Sequence, residues 1–402
     1  MRPFGKTITL AEARAIIDAA VQPIERTETI LLQDANGRVL AEPVQAGADV
    51  PPFSRAAMDG YAVRARDTAG ASRTAPSVLH RIETVFTGQV PQKAVGAGHC
   101  TEIATGAPMP EGADAVVMVE ETDIDEAGVV SVFVPIAAGQ NIGQQGTDIR
   151  RGQRVLEPGT PLNASRLGAV AALGLTEVLV YAKPGVAILS TGNEIVDPGQ
   201  PLGPGQIYDI NRMTVAAVVA DNGGLPVPRR TAADTLEDLL RAVDECLGQD
   251  VMVFSGGSSV GERDLILDVI AARGEVLFHG IAVKPGKPTA FGRIGETLIF
   301  GMPGYPTSCL SNAYILLAPA LRRLARLPEQ RLRSLTLPLG ARVASARDRH
   351  QFYTVRVEHG SAMPAFKASG DITSMSQADG YIEIPAEAGA LEAGTMVEVK
   401  LF

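Results

Sequence analysis

Val251-Met252-Val253-Phe254, followed by Ser255-Gly256-Gly257-Ser258-Ser259-Val260-Gly261-Glu262, is the stretch whose reading decides the fold. Four consecutive apolar residues fit a strand buried on both faces, the glycines fit a tight turn, and the apolar run after Asp264 fits a helix. A strand, turn and helix in that order point successive backbone amides outward from the strand's carboxyl end, where a phosphate could bind. The alternative is a tight turn whose small residues answer only to sterics.

The same texture extends outward on both sides, from Thr176 to Leu324. Val186–Leu189 reads as a strand, and Arg212–Ala220, Leu236–Leu247 and Leu265–Ala272 read as helices. Strand and helix in alternation predict a mostly parallel sheet covered on both faces, with ligands at the carboxyl ends of the strands. Toward the amino terminus the pattern shortens into strand-like pieces, through Thr27–Glu42, Gly47–Val63, Val78–Phe86, Ala115–Glu120 and Val129–Val134, with turn residues between them. Thr9-Leu10-Ala11-Glu12 predicts a capping box and a helix to about Val21, and Asn163 predicts the cap of an Ala-rich helix ending at Gly174. Leu335–Phe402 returns to short alternating runs that fit a small β-barrel or sandwich. The expected fold class is therefore multidomain α/β plus β: a three-layer α/β domain, a β-rich inserted domain and a small C-terminal β-barrel.

The chain has 402 residues, 46% of them hydrophobic and 20% charged, which fits a folded protein of several domains. Its 36 basic and 45 acidic residues give a net charge of −9, which argues against a broad nucleic-acid footprint. The polar start and the lack of a long apolar run predict a cytoplasmic protein without membrane spans. Cys100, Cys246 and Cys309 lie far apart with no His at ligand spacing, so they read as buried thiols rather than a disulfide or zinc framework.

Three carboxylates follow expected strands of the α/β region: Glu194, Asp234 and Asp264. On one rim of a parallel sheet their oxygens could share a magnesium ion bound to substrate phosphate. Asp234 reads equally well as a cap for the helix after it. Lys284-Pro285-Gly286-Lys287-Pro288 places two lysines on a turn stiffened by prolines, where both could face one oxyanion. Gly301-Met302-Pro303-Gly304-Tyr305-Pro306 follows an apolar strand, and Thr307 and Ser308 then open a helix whose amino end favours anions. Asp59, beside Gly60 and aromatic residues, and Thr105-Gly106 read as ordinary turns by composition.

Taken in order, these segments resemble the molybdopterin molybdenumtransferases (MoeA in bacteria, the gephyrin E domain in animals) over nearly the whole chain. The resemblance is carried by Pro-Pro-Phe-x-x-x-Ala-Met-Asp-Gly-Tyr-Ala at 51–62, Thr-Gly-Ala-Pro at 105–108, Gly-Gln-Asn-Ile at 139–142 and Ser-Thr-Gly-Asn-Glu at 190–194. Ser-Gly-Gly-x-Ser-Val-Gly-Glu-x-Asp at 255–264, Lys-Pro-Gly-Lys-Pro at 284–288 and Pro-Gly-x-Pro-x-Ser at 303–308 complete it.

It implies four domains: a linker and dimerisation domain from 1–45 and 140–180, a β-rich domain at 46–139, a molybdopterin-binding α/β domain at 181–328 and a C-terminal domain at 329–402. The implied reaction joins molybdate to adenylyl-molybdopterin and releases AMP, with Mg2+, in a homodimer whose cleft is shared. The molybdopterin adenylyltransferase is a further implied partner.

Residue by residue, the match gives Ser255, Gly256 and Gly257 to phosphate. Glu194, Asp264 and, more loosely, Asp234 go to the adenylate and the metal. Lys284, Lys287, Ser308, Arg349 and Ser369 go to molybdate, Pro303 and Pro306 to the turn beside it, and Asp59 and Thr105 to catalysis from the second domain. The chain departs from the family at Tyr305, where asparagine is common, and at Gly143-Gln144-Gln145, where arginines often stand. A tungstate-inserting paralogue, a nucleotide pyrophosphatase of the competence-damage type and a non-enzymatic scaffold are the competing readings.

Overall fold

The computed structural model describes residues 7–229, 235–256, 265–345 and 348–402. Thr9 opens helix α1 (Leu10–Ala20) with a complete capping box. Its hydroxyl accepts from the Glu12 amide at 3.1 Å, and the Glu12 carboxylate accepts from the Thr9 amide at 2.7 Å. Two amides that a helix start leaves unpaired are thus satisfied locally. Asn163 likewise caps α2 (Ala164–Ala172), accepting from the Arg166 amide at 3.0 Å. Both caps agree with the sequence reading.

The chain folds into two compact units, a β unit of Thr29–Asn36 and Leu40–Val178 and an α/β unit that holds the rest of the described residues. In the β unit, β1 (Gly60–Val63), β2 (Ser77–Val85), β3 (His99–Ile103), β4 (Ala115–Met118), β5 (Thr122–Ile124) and β6 (Val129–Val132) form one sheet. Their order is β4-β1-β3-β2-β6-β5, with β2 and β3 the parallel pair. Alternation along β1 sends Tyr61 and Val63 to one core with Leu79 and Val117, and Ala62 to another with Val85, Ile103 and Val116. Gly60 has no room for a side chain, because a Cβ there would stand 1.9 Å from the Val117 carbonyl oxygen. That close approach explains the Asp-Gly pair better than a turn does.

The α/β unit is built from β7 (Gly185–Ser190), α3 (Asn211–Asp221), β8 (Leu225–Pro228), α4 (Leu236–Asp244), β9 (Val251–Ser255), α5 (Leu265–Arg273), β10 (Glu275–His279), β11 (Val283–Lys284), β12 (Ala290–Ile294) and β13 (Thr297–Met302). Six of the strands make a sheet in the order β8-β7-β9-β13-β12-β10. The first four run parallel, and β12 alone runs against them, pairing antiparallel with β13 on one side and β10 on the other.

Both faces of this sheet are covered. Val186, Ile188, Val251, Val253, Leu298 and Phe300 pack with Val215 and Val219 of α3 and with α1 on one face. Ala187, Leu189, Met252, Phe254 and Ile299 pack with Leu239 of α4 and Val269 of α5 on the other. This is why β9 reads as an unbroken apolar run: alternate residues serve opposite cores, each worth about 1.5–3 kcal/mol for a fully buried Val or Phe.

After β13 come α6 (Pro306–Asn312) and, through a π-helical turn, α7 (Ala318–Leu324). The C-terminal strands are β14 (Ser334–Pro338), β15 (His350–Glu358), β16 (Ser361–Pro364), β17 (Gly380–Ile384) and β18 (Met396–Leu401). They pair in the order β11-β15-β17-β18-β14, with β16 on β15, and a single bridge joins Leu339 to Ala362. Among the described residues no helix is long and apolar enough to cross a membrane.

Candidate active site

The carboxyl ends of the parallel strands lie side by side, with Ser190, Ser255 and Met302 in register. Immediately beyond them the Thr191 amide donates to the Ser255 carbonyl at 2.9 Å. Gly256 takes φ +100°, and a Cβ on it would lie 2.3 Å from the Thr191 carbonyl oxygen. Only glycine combines that backbone with that approach. Asn211, the first residue of α3, joins the rim by donating from Nδ2 to the Ser255 hydroxyl at 2.7 Å and to the Gly304 carbonyl at 2.8 Å.

Among the described residues, three side-chain oxygens at this rim, Ser190 Oγ, Thr191 Oγ1 and Asn211 Oδ1, are buried without a hydrogen-bond partner. Buried polar atoms are nearly always paired, so these three leave hydrogen-bonding capacity at the strand ends for water or a polar ligand.

Glu194, just past β7, is exposed, and both carboxylate oxygens lie 2.7 Å from where a Gly192 Cβ would stand. Asp234, Gly257 and Asp264 lie outside the described residues. The capping role weighed for Asp234 is filled by Thr235, whose hydroxyl accepts from the Asp238 amide at 3.2 Å at the start of α4. Of the three carboxylates expected to hold the metal, Glu194 is the one among the described residues, a hard oxygen donor of the kind magnesium takes. Among the described residues no three His, Cys, Asp or Glu side chains converge on a metal-sized point.

The lysine turn is held from beneath. Gly286 has φ +107°, and a Cβ there would meet Asn312 Nδ2 at 2.3 Å. Fully buried Asn312 donates to the Gly286 carbonyl at 2.9 Å and to Thr289 Oγ1 at 2.6 Å, while the Thr289 hydroxyl donates to the same carbonyl at 2.8 Å. Lys284 and Lys287, both half-buried, therefore stand on either side of a fixed point. Ser308 precedes Asn312 by one helical turn and shares its face of α6. Strand β11 runs parallel to the start of β15 with Lys284 opposite Gln351, which brings exposed Arg349 to the same edge.

At the helix start, the Thr307 amide donates to the Ser369 carbonyl at 3.1 Å and its hydroxyl to the Asp371 carbonyl at 3.0 Å. One amide that the sequence offered to an anion is thus taken by the C-terminal module. Pro306 fills the first turn, Pro303 follows β13, and Tyr305 is 67% exposed with its ring 3.8 Å from where a Gly370 Cβ would stand.

In the β unit, Asp59 and Thr105 meet although they read as separate turns. The Thr105 amide donates to the Asp59 carboxylate at 2.7 Å. The backbone and hydroxyl of Thr105 hold the Asp59 carboxyl below the usual range. The depressed value means that the charged carboxylate stabilises the folded unit above about pH 4, and that this contribution is lost as pH falls through the lowered pKa. Unfolding midpoints measured from pH 6 to pH 3 should fall more steeply for the unaltered protein than for Asp59→Asn. Parallel curves would show that the contact carries no linkage. Nearby, Gln145 donates from its side chain to Asp49 at 2.8 Å and from its amide to Ser54 Oγ at 3.1 Å, so the departure at Gly143-Gln144-Gln145 is tied into local loops.

Asn211 and Asn312 escaped the sequence reading. The signal for Asn312 was a polar residue inside an apolar helix; for Asn211 there was only its place at a helix start.

A mostly parallel sheet with a polar rim, preceded in the chain by a β-rich unit and followed by a mostly antiparallel sheet, defines a multidomain α/β plus β protein. Residues 8–174 match the family described as MoeA N-terminal region (domain I and II), residues 187–323 the probable molybdopterin binding domain, and residues 336–402 the MoeA C-terminal region (domain IV). Molybdopterin molybdenumtransferase 2 of Mycobacterium tuberculosis is 35% identical, over 93% of this chain and 95% of its own length. Molybdopterin molybdenumtransferase of Haemophilus influenzae is 33% identical over 98% of both. The molybdopterin biosynthesis MoeA protein of Pyrococcus horikoshii superposes with TM-score 0.85 and 39% identity, covering 98% of this chain and 99% of that one. The chain belongs to the molybdopterin molybdenumtransferase family, as its motifs predict.

Proposed function

We propose that this protein is a molybdopterin molybdenumtransferase, which inserts molybdate into adenylyl-molybdopterin and releases AMP in molybdenum cofactor biosynthesis. The observation that carries the reading is the presence, in one unit, of an orphaned polar rim at the strand ends and a buttressed two-lysine turn. The first suits a phosphate-bearing ligand, the second a tetrahedral oxyanion.

In this reading Ser255, Gly256 and Gly257 hold the adenylate phosphate. Lys284, Lys287, Ser308, Arg349 and Ser369 hold molybdate, and their fixed positions bring it to the dithiolene sulfurs without a covalent enzyme intermediate. Glu194, Asp234 and Asp264 would hold Mg2+, which when bound supplies Lewis-acid stabilisation to the phosphoanhydride. The protein acts as a homodimer in the cytoplasm, with the partner subunit's Asp59 and the partner subunit's Thr105 completing the cleft, and receives its substrate from the molybdopterin adenylyltransferase.

The test supplies purified protein with adenylyl-molybdopterin, Mg2+ and either molybdate or tungstate, and follows AMP and metal-loaded cofactor. Product with molybdate is expected. Product with tungstate alone would assign the paralogue, and failure with both oxyanions would overturn the assignment.

A further inference from the structure

The Ser255 hydroxyl sits at the end of β9, 3% exposed, between two neighbours that both donate to it. Asn211 Nδ2 lies 2.7 Å from Ser255 Oγ, and the Cys309 thiol lies 3.8 Å away. The orientation of the Asn211 amide follows from its other contact: the Gly304 carbonyl, 2.8 Å away, can only accept, so nitrogen and not oxygen faces it. Both hydrogens of the amide are then used, one on Gly304 and one on Ser255. Burial pushes the Cys309 thiol up to about 12, so it too keeps its proton at neutral pH.

A serine hydroxyl has two accepting positions and one hydrogen. With both accepting positions occupied by donors from the protein, the hydrogen is what remains for a ligand.

We infer that Asn211 is a positioning residue that fixes Ser255 as a hydrogen-bond donor to the phosphate of the bound nucleotide. The inference rests on the nucleotide reading of the strand-end site and names the atom that carries it. Asn211 also keeps one unpartnered buried acceptor, Oδ1, so the pair offers the ligand a donor and an acceptor of defined sense. An aspartate at position 211 would have nearly the same shape but could only accept, and the Ser255 hydrogen would turn to it.

The test measures AMP affinity of the full-length protein by calorimetry, with thermal unfolding as the control for folding. Asn211→Asp should weaken AMP binding about tenfold or more; it also loses the bond to the Gly304 carbonyl, so the unfolding midpoint should fall, and binding is measured well below it. In a Ser255→Ala background the same substitution should change affinity by less than about twofold, because the hydroxyl it acts through is gone. Asn211→Ala serves as the second variant if the aspartate form does not fold, with the same dependence on Ser255. Equal losses in both backgrounds would assign the effect to charge or structure and overturn the inference, as would unchanged affinity in the single variant. No AMP binding by the unaltered protein would overturn the nucleotide reading itself, and the inference with it.

Discussion

Gly256→Ala should slow AMP release by at least about 100-fold when the protein is supplied with adenylyl-molybdopterin, molybdate and Mg2+. The new methyl group would have to occupy space 2.3 Å from the Thr191 carbonyl oxygen, on a backbone at φ +100° that side chains rarely adopt. Neither wall yields easily. Thr191 is bonded through its amide to the Ser255 carbonyl, and Gly304 packs against Gly256 from the other side, a Cβ on Gly304 lying 3.4 Å from its Cα. The strand-end turn must therefore open, which costs about 1–3 kcal/mol in backbone strain and shifts Ser255 and Gly256, to which the proposed function gives the phosphate. An alanine variant that released AMP at the unaltered rate would remove this turn from the site.

Asn312→Leu should raise the KM for molybdate about tenfold or more and lower stability by about 2–3 kcal/mol, while leaving AMP affinity within about twofold. Leucine has similar bulk but no donor, so the Gly286 carbonyl and Thr289 Oγ1 each lose a buried hydrogen bond. The lysines on either side of Gly286 then lose the fixed point between them. Unchanged molybdate kinetics in a folded variant would separate the turn from oxyanion binding, and a parallel loss of AMP affinity would mean that the two halves of the site are one.

What could be read without coordinates followed the range of the forces involved. The apolar run of β9, the capping box at Thr9 and the N-cap at Asn163 lie within short stretches of chain, so their residues announce them. The lysine turn was legible because prolines and glycine act on their own backbone. Asp59 and Thr105 were not: they meet because β1 pairs with β3, Gly60 opposite Ile103, and that register is settled by burial across the sheet. Asn211 and Asn312 were missed for the same reason, since each gains its role from carbonyls on distant strands and turns. Asp234, Gly257 and Asp264, read from their places after expected strands and from the family's motifs, lie outside the described residues.

The placement of α1 also bears on how the chain is made. Leu10, Ala13 and Ile17 belong to the core that contains Val186, Phe300, Leu321 and Tyr381, all of which emerge after the whole β unit. On a ribosome adding about 5–20 residues per second, α1 waits roughly 8–35 s before even the first strand of its core exists. The β unit can close within that interval from contiguous chain. Helix α1, made before the rest of its core, is thus among the last to be housed, and an interrupted product would leave its apolar stripe available to chaperones and to other nascent chains.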